Sequence, residues 1–310
     1  MHIHARALKY FDAIRRSGSI REAARRLHVA SSAVNRQLLQ LEEAIGSPLF
    51  ERMPGGLKLT AAGEVFSRHV ITVLQDEHRM YGELEALKGI RRGELKIIAV
   101  EGLNSELLPG VLERMMTRYP TIRISVRSAG SAQTARAVID GDADVAIGFS
   151  LERSEALRQC AVGRFALGAI VRPDHPLAAQ PQVSFAECAR YPLILPGSEL
   201  SIHAALGPLI AHMKRPLTTL LESASIELAK RLAARGVGVA FQTRIGIERD
   251  MREGLLAHVP LKAQAWLVTE LGVYVRAGRN LPPALDAFIR IVAEVLEERE
   301  ADEPGAVTAD

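Results

Sequence analysis

The chain has 310 residues, which is enough for two or three domains with sizeable cores. Its net charge of +3 and its two cysteines exclude a uniformly basic protein and a disulfide-stabilised secreted domain. The charge is unevenly distributed, because residues 1–62 hold ten Lys or Arg and five Asp or Glu, whereas the remainder holds 29 basic and 31 acidic residues. A basic segment joined to a near-neutral body is typical of a nucleic-acid-binding domain attached to a second function.

The sequence shows no apolar signal core near its start and no run of eighteen apolar residues. These features predict a cytoplasmic protein with reduced thiols. The two cysteines, Cys160 and Cys188, lack metal-ligand spacing, and a free cysteine is most often a small buried apolar residue. A redox role for this pair is the alternative.

Three short helices are predicted in the N-terminal segment. The first covers residues 5–16, where apolar side chains recur on one side. The second begins after Ser19, whose S-x-x-E spacing to Glu22 is typical of a capping box. About three residues separate it from a third helix that ends at Gly46. Two helices joined by so short a turn indicate a helix-turn-helix motif.

The third helix carries polar side chains on the side away from its apolar positions. Ser31 or Ser32 is predicted to cap it. Short hydrogen-bonding side chains and an arginine suit base edges in a major groove. The candidate DNA-binding residues on this helix are Ser31, Ser32, Asn35, Arg36 and Gln40. The alternative is a plain helical hairpin with a solvated polar face.

A small hairpin is predicted directly after the third helix. Residues 54–56 (PGG) predict its turn, and the residues that follow alternate as in a strand. Arg52 and Lys58 flank the turn and are predicted to contact phosphates, which position a protein on DNA without reading its sequence. Together these elements predict a winged helix-turn-helix domain over residues 1–62.

One long helix is predicted over residues 60–88, of which residues 63–88 form a linker. Its apolar positions repeat with a period near 3.5, which is typical of a helix that pairs with another helix. The candidate dimerisation residues are Phe66, Val70, Val73, Met80, Leu84 and Leu87, and Glu77 interrupts them. The alternative is a helix packed on its own domain, for which a wider apolar stripe is expected.

Residues 89–93 (GIRRG) predict a hinge, after which short apolar runs alternate with amphipathic helices. The order strand, helix, strand, helix, strand over residues 95–148 predicts a parallel sheet. A second alternating set covers residues 166–241. A strand at 266–275 and a helix at 282–298 end the pattern.

These elements predict an α/β domain over residues 94–300, with two lobes that enclose a cleft. Lobe I is assigned to about 94–162 and 266–300, and lobe II to about 163–265. The acidic segment 301–310 has no apolar face and is expected to be disordered.

Ligands of such sheets bind at the carboxyl ends of the strands. The residues there are small and rich in hydroxyls, and several open helices, whose free N–H groups attract anions. The candidate ligand-binding residues are Gly102, Leu103, Asn104, Ser105, Ser128, Ser131, Phe149, Ser198, Leu200, Ser201 and Gln242. A carboxylate-bearing metabolite is the expected class of ligand. The alternative for each serine is an ordinary helix cap.

Four N-terminal segments form a specific combination: AARRLHV, RQLLQLEEAIG, PLFER and LTAAGE. Together, over residues 7–63, they resemble the DNA-binding domain of LysR-type transcriptional regulators, and a weaker resemblance extends to about residue 298. This resemblance implies a two-lobed effector domain like that of periplasmic binding proteins. It also implies a homodimer or a dimer of dimers, binding to promoter DNA, and control by a small molecule.

The chain departs from the family pattern at the start of the recognition helix. The family usually has Ser, Gln and Pro there, where this chain has Ala30, Ser31 and Ser32, and Asn35 stands in place of a usual Ser or Thr. Replacing Gln by Ser31 removes a long side chain that can reach adenine. We therefore expect an operator half-site different from the most common one of the family.

By the same resemblance, effector contacts are expected at Gly102, Leu103, Ser131, Phe149 and the pair Leu200 and Ser201. Gly102 stands where a hydroxyl side chain is frequent, and Phe149 where some members have a polar or basic residue. Both differences make the pocket less polar and favour an aromatic or partly apolar ligand.

The sequence contains no nucleotide-binding, zinc-protease or serine-hydrolase motif, so no catalysis and no cofactor are expected. It predicts a transcriptional regulator that reads a pseudo-palindromic site as a dimer. Ligand binding between the lobes is expected to shift the placement of the two DNA-binding domains. The alternatives are an architectural, effector-independent DNA-binding protein and an enzyme or solute-binding protein.

Overall fold

The computed structural model describes residues 4–87, 93–213, 215–262 and 267–303. The chain divides into two compact units, Met1–Ile90 and Arg91–Asp310. Each unit has a hydrophobic core of its own. In the described ranges, no helix is both long enough and apolar enough to span a membrane.

The first unit contains the predicted helix-turn-helix and hairpin. Its elements are α1 (Ala5–Ser17), α2 (Ile20–Leu27), α3 (Ser31–Ile45), β1 (Phe50–Met53), β2 (Gly56–Leu59) and α4 (Ala61–Leu87). The strands β1 and β2 pair in antiparallel fashion. Phe11 of α1 lies at the centre of the core, with its ring 5.1 Å from that of Phe50 and 4.9 Å from that of Phe66. The helices and the hairpin are thus fixed to one another through shared apolar contacts.

Ser19 caps α2 as predicted, but its capping box is incomplete, and the predicted cap of α3 is corrected. The Ser19 hydroxyl accepts a hydrogen bond from the Glu22 N–H at 3.4 Å, but the Glu22 carboxylate binds Arg25 and Arg26 instead of returning to Ser19. These two guanidinium groups lower the pKa of Glu22 to about 2. The cap of α3 is Ala30, with no side-chain hydrogen bond, so neither Ser31 nor Ser32 caps it. A cap residue has an extended backbone, and here that residue is Ala30. His28, with its left-handed backbone, ends α2, and Ser31 and Ser32 already belong to α3.

The prediction of a dimerisation seam along α4 is corrected for its first half. Phe66, Val70 and Val73 pack against the core of their own unit, and Val70 is fully buried there. Glu77, the residue that interrupts the apolar pattern, accepts a hydrogen bond from Lys9 of α1 at 3.0 Å. This half of the helix is therefore covered by α1 and the rest of its own domain.

The second half of α4 leaves apolar side chains in solvent. Met80 and Leu84 are 45 % and 46 % exposed, and Tyr81 beside them is also exposed. Leu87 ends the helix, and its side chain falls outside the described residues. Of the six predicted seam residues, only Met80 and Leu84 are thus seen to be available to another chain.

The second unit consists of alternating strands and helices. In chain order these are β3 (Gly93–Ala99), α5 (Leu107–Arg118), β4 (Ile122–Ser128), α6 (Ser131–Ile139), β5 (Val145–Phe149), β6 (Leu157–Ala166), β7 (Gly168–Val171), α7 (Phe185–Cys188), β8 (Leu193–Pro196), α8 (Ser201–Ala211), β9 (Thr219–Ser223), α9 (Ile226–Ala234), β10 (Ala240–Gln242), α10 (Glu248–Arg252), β11 (Ala257–Pro260), β12 (Val268–Arg276) and α11 (Pro283–Ala301).

Lobe I is built on a five-stranded sheet with the order β4-β3-β5-β12-β6. As predicted, β3 pairs in parallel with β4 and β5. The strand β12 is antiparallel to both of its neighbours, so the sheet is mixed rather than wholly parallel. The helices α5 and α11 supply apolar side chains to the largest core, among them Val111, Met115 and Phe288.

Lobe II contains two smaller sheets. One has the antiparallel order β10-β7-β11, and in the other β8 and β9 run parallel. An isolated bridge between Leu193 and Val239 connects the two. Phe185 and Phe241, whose rings lie 5.4 Å apart, belong to the core of this lobe.

The structure corrects several predicted boundaries in the second unit. The edge strand β6 was not predicted, because only two of its ten residues, Gly163 and Phe165, are buried and its apolar pattern is weak. Consequently lobe I extends through Ala166 rather than 162, and the chain crosses to lobe II at Leu167, whose N–H donates to the carbonyl of Leu267 at 2.8 Å.

The predicted hinge and tail are also modified. Gly93 belongs to β3 rather than to a hinge, and residues 89–92 lie outside the described part. At the other end, α11 continues to Ala301, and the carbonyl of Asp302 accepts a hydrogen bond from Arg244 at 2.9 Å. Disorder was therefore wrongly predicted for 301–303, while 304–310 fall outside the described residues.

Candidate functional site

The polar side of α3 is accessible to a nucleic acid. Ser31, Ser32, Arg36 and Gln40 are exposed, and Asn35 is half-buried. The Gln40 side-chain oxygen accepts a hydrogen bond from Gln37 at 2.8 Å. Within the described residues, Arg36 makes no ion pair and no side-chain hydrogen bond, so its guanidinium group is free to bind bases or phosphates.

The hairpin places its two cations on opposite faces. Arg52 and Lys58 are both exposed, as predicted from the turn between them. However, Arg52 is opposite Leu57 in the strand register, and Lys58 is opposite Glu51. Because successive side chains of a strand point to opposite faces, Arg52 and Lys58 project from opposite faces of the hairpin. They are therefore suited to different phosphate groups.

Sequence reasoning missed two further cations beside the start of α3. Arg21 and Arg25 of α2 line a depression of about 560 Å³ together with Ser19, Ala30 and Ser31. The Arg25 guanidinium is held by Glu22 at 2.6 and 2.9 Å, which raises the pKa of Arg25. Their i, i+4 spacing could have identified them, because it puts both on one face of α2.

A second candidate site is a cavity of about 490 Å³ between the two lobes of the second unit. Seven of the eleven predicted ligand-binding residues line it: Gly102, Ser128, Ser131, Phe149, Leu200, Ser201 and Gln242. They come from both lobes and from five separate segments of the chain. The apolar part of the lining includes Val100, Ile202, Ile226 and Ile245.

The other four predicted residues do not line the cavity, and their assignment is corrected. Leu103 is fully buried in the core of lobe I. The Asn104 side chain donates a hydrogen bond to the Ser128 hydroxyl at 2.8 Å, and Ser105 and Ser198 are exposed elsewhere. The reason is that a short 3-10 turn, Glu101–Leu103, follows β3 and brings Glu101 rather than Leu103 to the cleft.

The N-termini of α6 and α8 lie at the cavity from opposite lobes. The residues before them are Gly130 and Leu200, and no side chain caps either helix. Ser131 and Ser201 are the first helical residues, so neither is the ordinary cap that the alternative interpretation required. Free N–H groups at a helix start attract an anion, which supports the expectation of a carboxylate on the ligand.

Glu101 occupies the N-terminus of a third helix, α9. Its carboxylate accepts hydrogen bonds from the Ser225 hydroxyl at 3.2 Å and from the Ile226 N–H at 3.4 Å. Ser225 also caps α9 by accepting from the Leu228 N–H at 3.3 Å. Glu101 therefore connects lobe I to lobe II at the edge of the cavity.

Sequence reasoning also missed Glu101, Glu199 and Thr243 as lining residues. Glu199 and Thr243 lie in strand-end segments that were identified as the cleft. Glu199 was not selected there because hydroxyls and glycines were taken as the signal, and Thr243 was not selected although it carries a hydroxyl. The described lining contains no Lys, Arg or His. The charged groups that face the cavity are thus two carboxylates.

Buried polar groups support the floor of the cavity. Gln242 donates from its side-chain nitrogen to the carbonyl of Ile245 at 3.3 Å, and His258 donates to the carbonyl of Gln242 at 3.1 Å. Burial lowers the pKa of His258 to about 4 because it disfavours the charged imidazolium. The neutral ring is therefore part of the folded structure at neutral pH.

The two cysteines are poorly suited to redox chemistry. Cys188 is fully buried, and burial raises its pKa to about 12. Burial also raises the pKa of Cys160. Since the thiolate is the reactive form, both environments disfavour oxidation. No cluster of potential metal ligands occurs among the residues that the structure describes.

Comparison with known proteins agrees with this architecture. The family profile described as bacterial regulatory helix-turn-helix protein, lysR family, matches residues 5–64, and the profile of the LysR substrate binding domain matches residues 88–297. A RuBisCO operon transcriptional regulator of Allochromatium vinosum is 26 % identical over 296 residues, which cover 94 % of this chain and 96 % of that protein.

Other relatives show the same extent of similarity. The uncharacterised HTH-type transcriptional regulator YfiE of Escherichia coli is 26 % identical over 282 residues, covering 89 % of this chain and 93 % of its own length. Among solved structures, a full-length OxyR variant from Pseudomonas aeruginosa aligns with a TM-score of 0.73 and 20 % identity over 96 % of this chain and 95 % of that one. The chain therefore belongs to the LysR family, whose members are transcriptional regulators rather than enzymes.

Proposed function

We propose that this protein is a sequence-specific transcriptional regulator of the cytoplasm, controlled by a small molecule that binds between its lobes. The observation that carries the proposal is the presence of two separate sites in one chain. One is the exposed side of α3 with the free cation Arg36, and the other is the cavity where the uncapped starts of α6 and α8 meet.

The DNA contacts divide into two kinds. Arg36, Asn35 and the serines at the start of α3 are positioned to read base edges, since an N-terminal part of a recognition helix does so in this motif. Arg52 and Lys58 provide phosphate contacts, which add affinity at any sequence. A pseudo-palindromic site follows if two chains associate, for which the exposed Met80 and Leu84 of α4 are the candidate contacts.

Control by the ligand requires a difference in affinity between two arrangements. A ligand that contacts both lobes favours the arrangement in which both sets of contacts are made. Because the DNA-binding unit of each chain is connected to lobe I, a change in lobe closure alters the spacing of two DNA-binding units in an assembly. The coupling is reciprocal, so DNA that fits one arrangement also changes the affinity for the ligand.

The test is selection of binding sites from random DNA with the full-length chain, followed by affinity measurements on the selected site. We expect a half-site repeated with two-fold symmetry. Arg36→Ala is expected to weaken binding to the selected site by about 1–3 kcal/mol while binding to unrelated DNA changes little. Arg52→Ala is expected to weaken binding to the selected site and to unrelated DNA equally. It should also reduce the slope of log affinity against log salt concentration by about one.

Arg190→Ala is the matched control, because it removes an exposed positive charge from the second unit. It should leave the affinity and the salt dependence unchanged. Failure to enrich any sequence would contradict sequence-specific binding. An equal loss on selected and unrelated DNA for Arg36→Ala would support an architectural DNA-binding protein instead.

A further inference from the structure

The cavity between the lobes has an unusual balance of charge for a site that receives a carboxylate. Glu101 and Glu199 line it, and no cationic side chain does so among the described residues. A ligand with negative charges alone would face two carboxylates with only helix N-termini to offset them. The lining therefore favours a ligand that also carries positive charge.

The two carboxylates lie near residues 224–226, and we call the pair Glu101 and Glu199 the acidic corner. Glu101 binds Ser225 and Ile226 at 3.2 and 3.4 Å. A Cβ built on Gly197 would lie 2.7 Å from a carboxylate oxygen of Glu199 and 3.1 Å from the backbone nitrogen of Ala224. Glu199 itself makes no ion pair or side-chain hydrogen bond in the described chain, so its charge is available to a ligand.

The opposite charge of the ligand has a separate place. The uncapped starts of α6 and α8 approach each other across the cleft, since a Cβ built on Gly130 would lie 3.2 Å from the carbonyl oxygen of Glu199. Both helices exceed two turns, with nine and eleven residues, and leave N–H groups free at their starts. In α8 the His203 N–H donates to the Leu200 carbonyl at 3.0 Å, which leaves those of Ser201 and Ile202 for a ligand. A carboxylate placed there can contact both lobes.

A buried hydroxyl independently indicates that a polar ligand completes the cavity. Thr243 is only 3 % exposed and lines the cavity, yet its hydroxyl has no hydrogen-bond partner among the described residues. This hydroxyl is therefore open to the cavity, where a ligand or water can complete its hydrogen bonding. The Thr243 hydroxyl can accept a hydrogen bond from an ammonium group or donate one to a carboxylate, so it suits either charged group of a ligand.

From this geometry we infer that the effector is a small zwitterion, an amino acid with an apolar side chain. Its ammonium group binds at the acidic corner, and its carboxylate binds at the starts of α6 and α8. Its side chain contacts Phe149, Ile202 and Ile226, which supply apolar surface within the cavity of about 490 Å³. This inference rests on the proposed function, because it assigns the chemical class of the molecule that controls the regulator.

The test uses two matched sets of probes on the full-length chain, with thermal shift and calorimetric titration as readouts. The first set is L-phenylalanine, 3-phenylpropionate and 2-phenylethylamine, and the second is L-leucine, 4-methylpentanoate and 3-methylbutylamine. Within at least one set, the amino acid is expected to bind about tenfold or more tightly than either analogue that lacks one charge, because a hydrogen bond to a charged group is lost.

Glu199→Gln should reduce the affinity for the amino acid by about tenfold while leaving the affinity for the amine-free acid unchanged or increased. Glu199 is exposed, so this substitution is not expected to disturb folding. Glu222→Gln is the matched control, because Glu222 is an exposed acid of lobe II that does not line the cavity, and it should change neither affinity.

Equal binding of the amino acids and their amine-free acids would overturn the inference and leave an effector-controlled regulator in place. The inference would also be overturned if none of these probes bound to the folded chain. Failure of the proposed function is a different result, because it would appear as loss of sequence selectivity in the DNA-binding measurements.

Discussion

The DNA-facing surface and the cavity between the lobes are assembled in different ways. The first draws on one contiguous stretch, from α2 to β2, and its cations Arg36 and Arg52 are exposed to solvent. The second draws on separate segments between Val100 and Thr269, and some of its polar residues, such as Gln242 and Thr243, are buried. The DNA-facing surface therefore attracts its partner through charges that act over a long range. The cavity instead depends on the positions of a few fixed groups.

The difference predicts which changes each surface tolerates. Loss of one exposed cation alters affinity for DNA without altering the fold. A single substitution at the cavity disturbs contacts between the two lobes. Three substitutions or conditions, taken from the largest expected effect to the smallest, test this distinction.

Phe11→Ala removes the ring at the centre of the first unit. Because Phe11 is 1 % exposed and touches Phe50 and Phe66, we expect a loss of about 3–5 kcal/mol in the free energy of unfolding of that unit. DNA binding should be lost, while ligand binding in the second unit should persist. Hydrogen exchange resolved along the chain measures both units in one experiment.

The control for Phe11→Ala is Val65→Ala, which shortens a side chain that is 61 % exposed on α4. It should change hydrogen exchange in neither unit. Faster exchange throughout Arg91–Asp310 in the Phe11→Ala variant would show that the two units do not have independent cores.

Gly246→Ala tests a close approach of the two lobes. Gly246 has a φ of 85°, and a Cβ there would lie 2.2 Å from the carbonyl oxygen of Gly102. We expect a loss of about 3 kcal/mol in the free energy of unfolding, since the left-handed conformation and the clash both oppose a side chain. Urea unfolding followed by circular dichroism gives this value.

Gly102→Ser is the matched substitution on the other side of this contact. A Cβ on Gly102 would meet Ile226 at 3.5 Å, which is an ordinary contact. We expect a change in stability of less than about 1 kcal/mol. If both variants were equally destabilised, the close approach of the backbones at Gly246 would not be what limits this part of the cleft.

The third test is the pH dependence of stability caused by His258. Its pKa is about 4 in the folded chain and 6.5 in the unfolded chain, so the unfolded state binds a proton first as the pH falls. The free energy of unfolding should therefore fall by about 2 kcal/mol between pH 7 and pH 5, and further towards pH 4. His258→Gln should show a smaller decline over this range, measured by urea unfolding at each pH.

An unchanged pH dependence in the His258→Gln variant would assign the decline to other groups. His175 is one such group, because burial lowers its pKa in the same direction. The low pKa of Glu187, about 2, affects stability only at more acidic pH, since the stability that it provides is lost as the pH falls below 4.5.

The DNA-facing surface was predictable because its signals are local. Helical periodicity, the glycine at the end of α3 and the turn of the hairpin lie within a few residues of the features that they determine. The errors there were also local, such as Ala30 in place of a serine at the start of α3. The first half of the seam along α4 was misassigned because the sequence does not show whether α1 or a second chain covers Phe66.

The cavity was predictable only in outline. The rule for strand ends located Ser131 and Ser201, since both follow directly from where a strand stops and a helix begins. Glu101 was missed because its role depends on Ser225, which lies 124 residues away in the other lobe. Contacts between lobes leave no periodic pattern in the sequence.

The path of the chain through the second unit has a consequence for its synthesis. Lobe II is formed by one continuous stretch from Leu167 to Leu267, but the sheet of lobe I is incomplete until β12 enters between β5 and β6. The core of lobe I further requires α11 at the end of the chain. On the ribosome, the DNA-binding unit and lobe II can therefore fold as they emerge, whereas lobe I must wait for the last residues. A truncated product would thus hold a folded DNA-binding unit without a complete ligand site, and premature termination would create a protein that occupies DNA but does not respond to the effector.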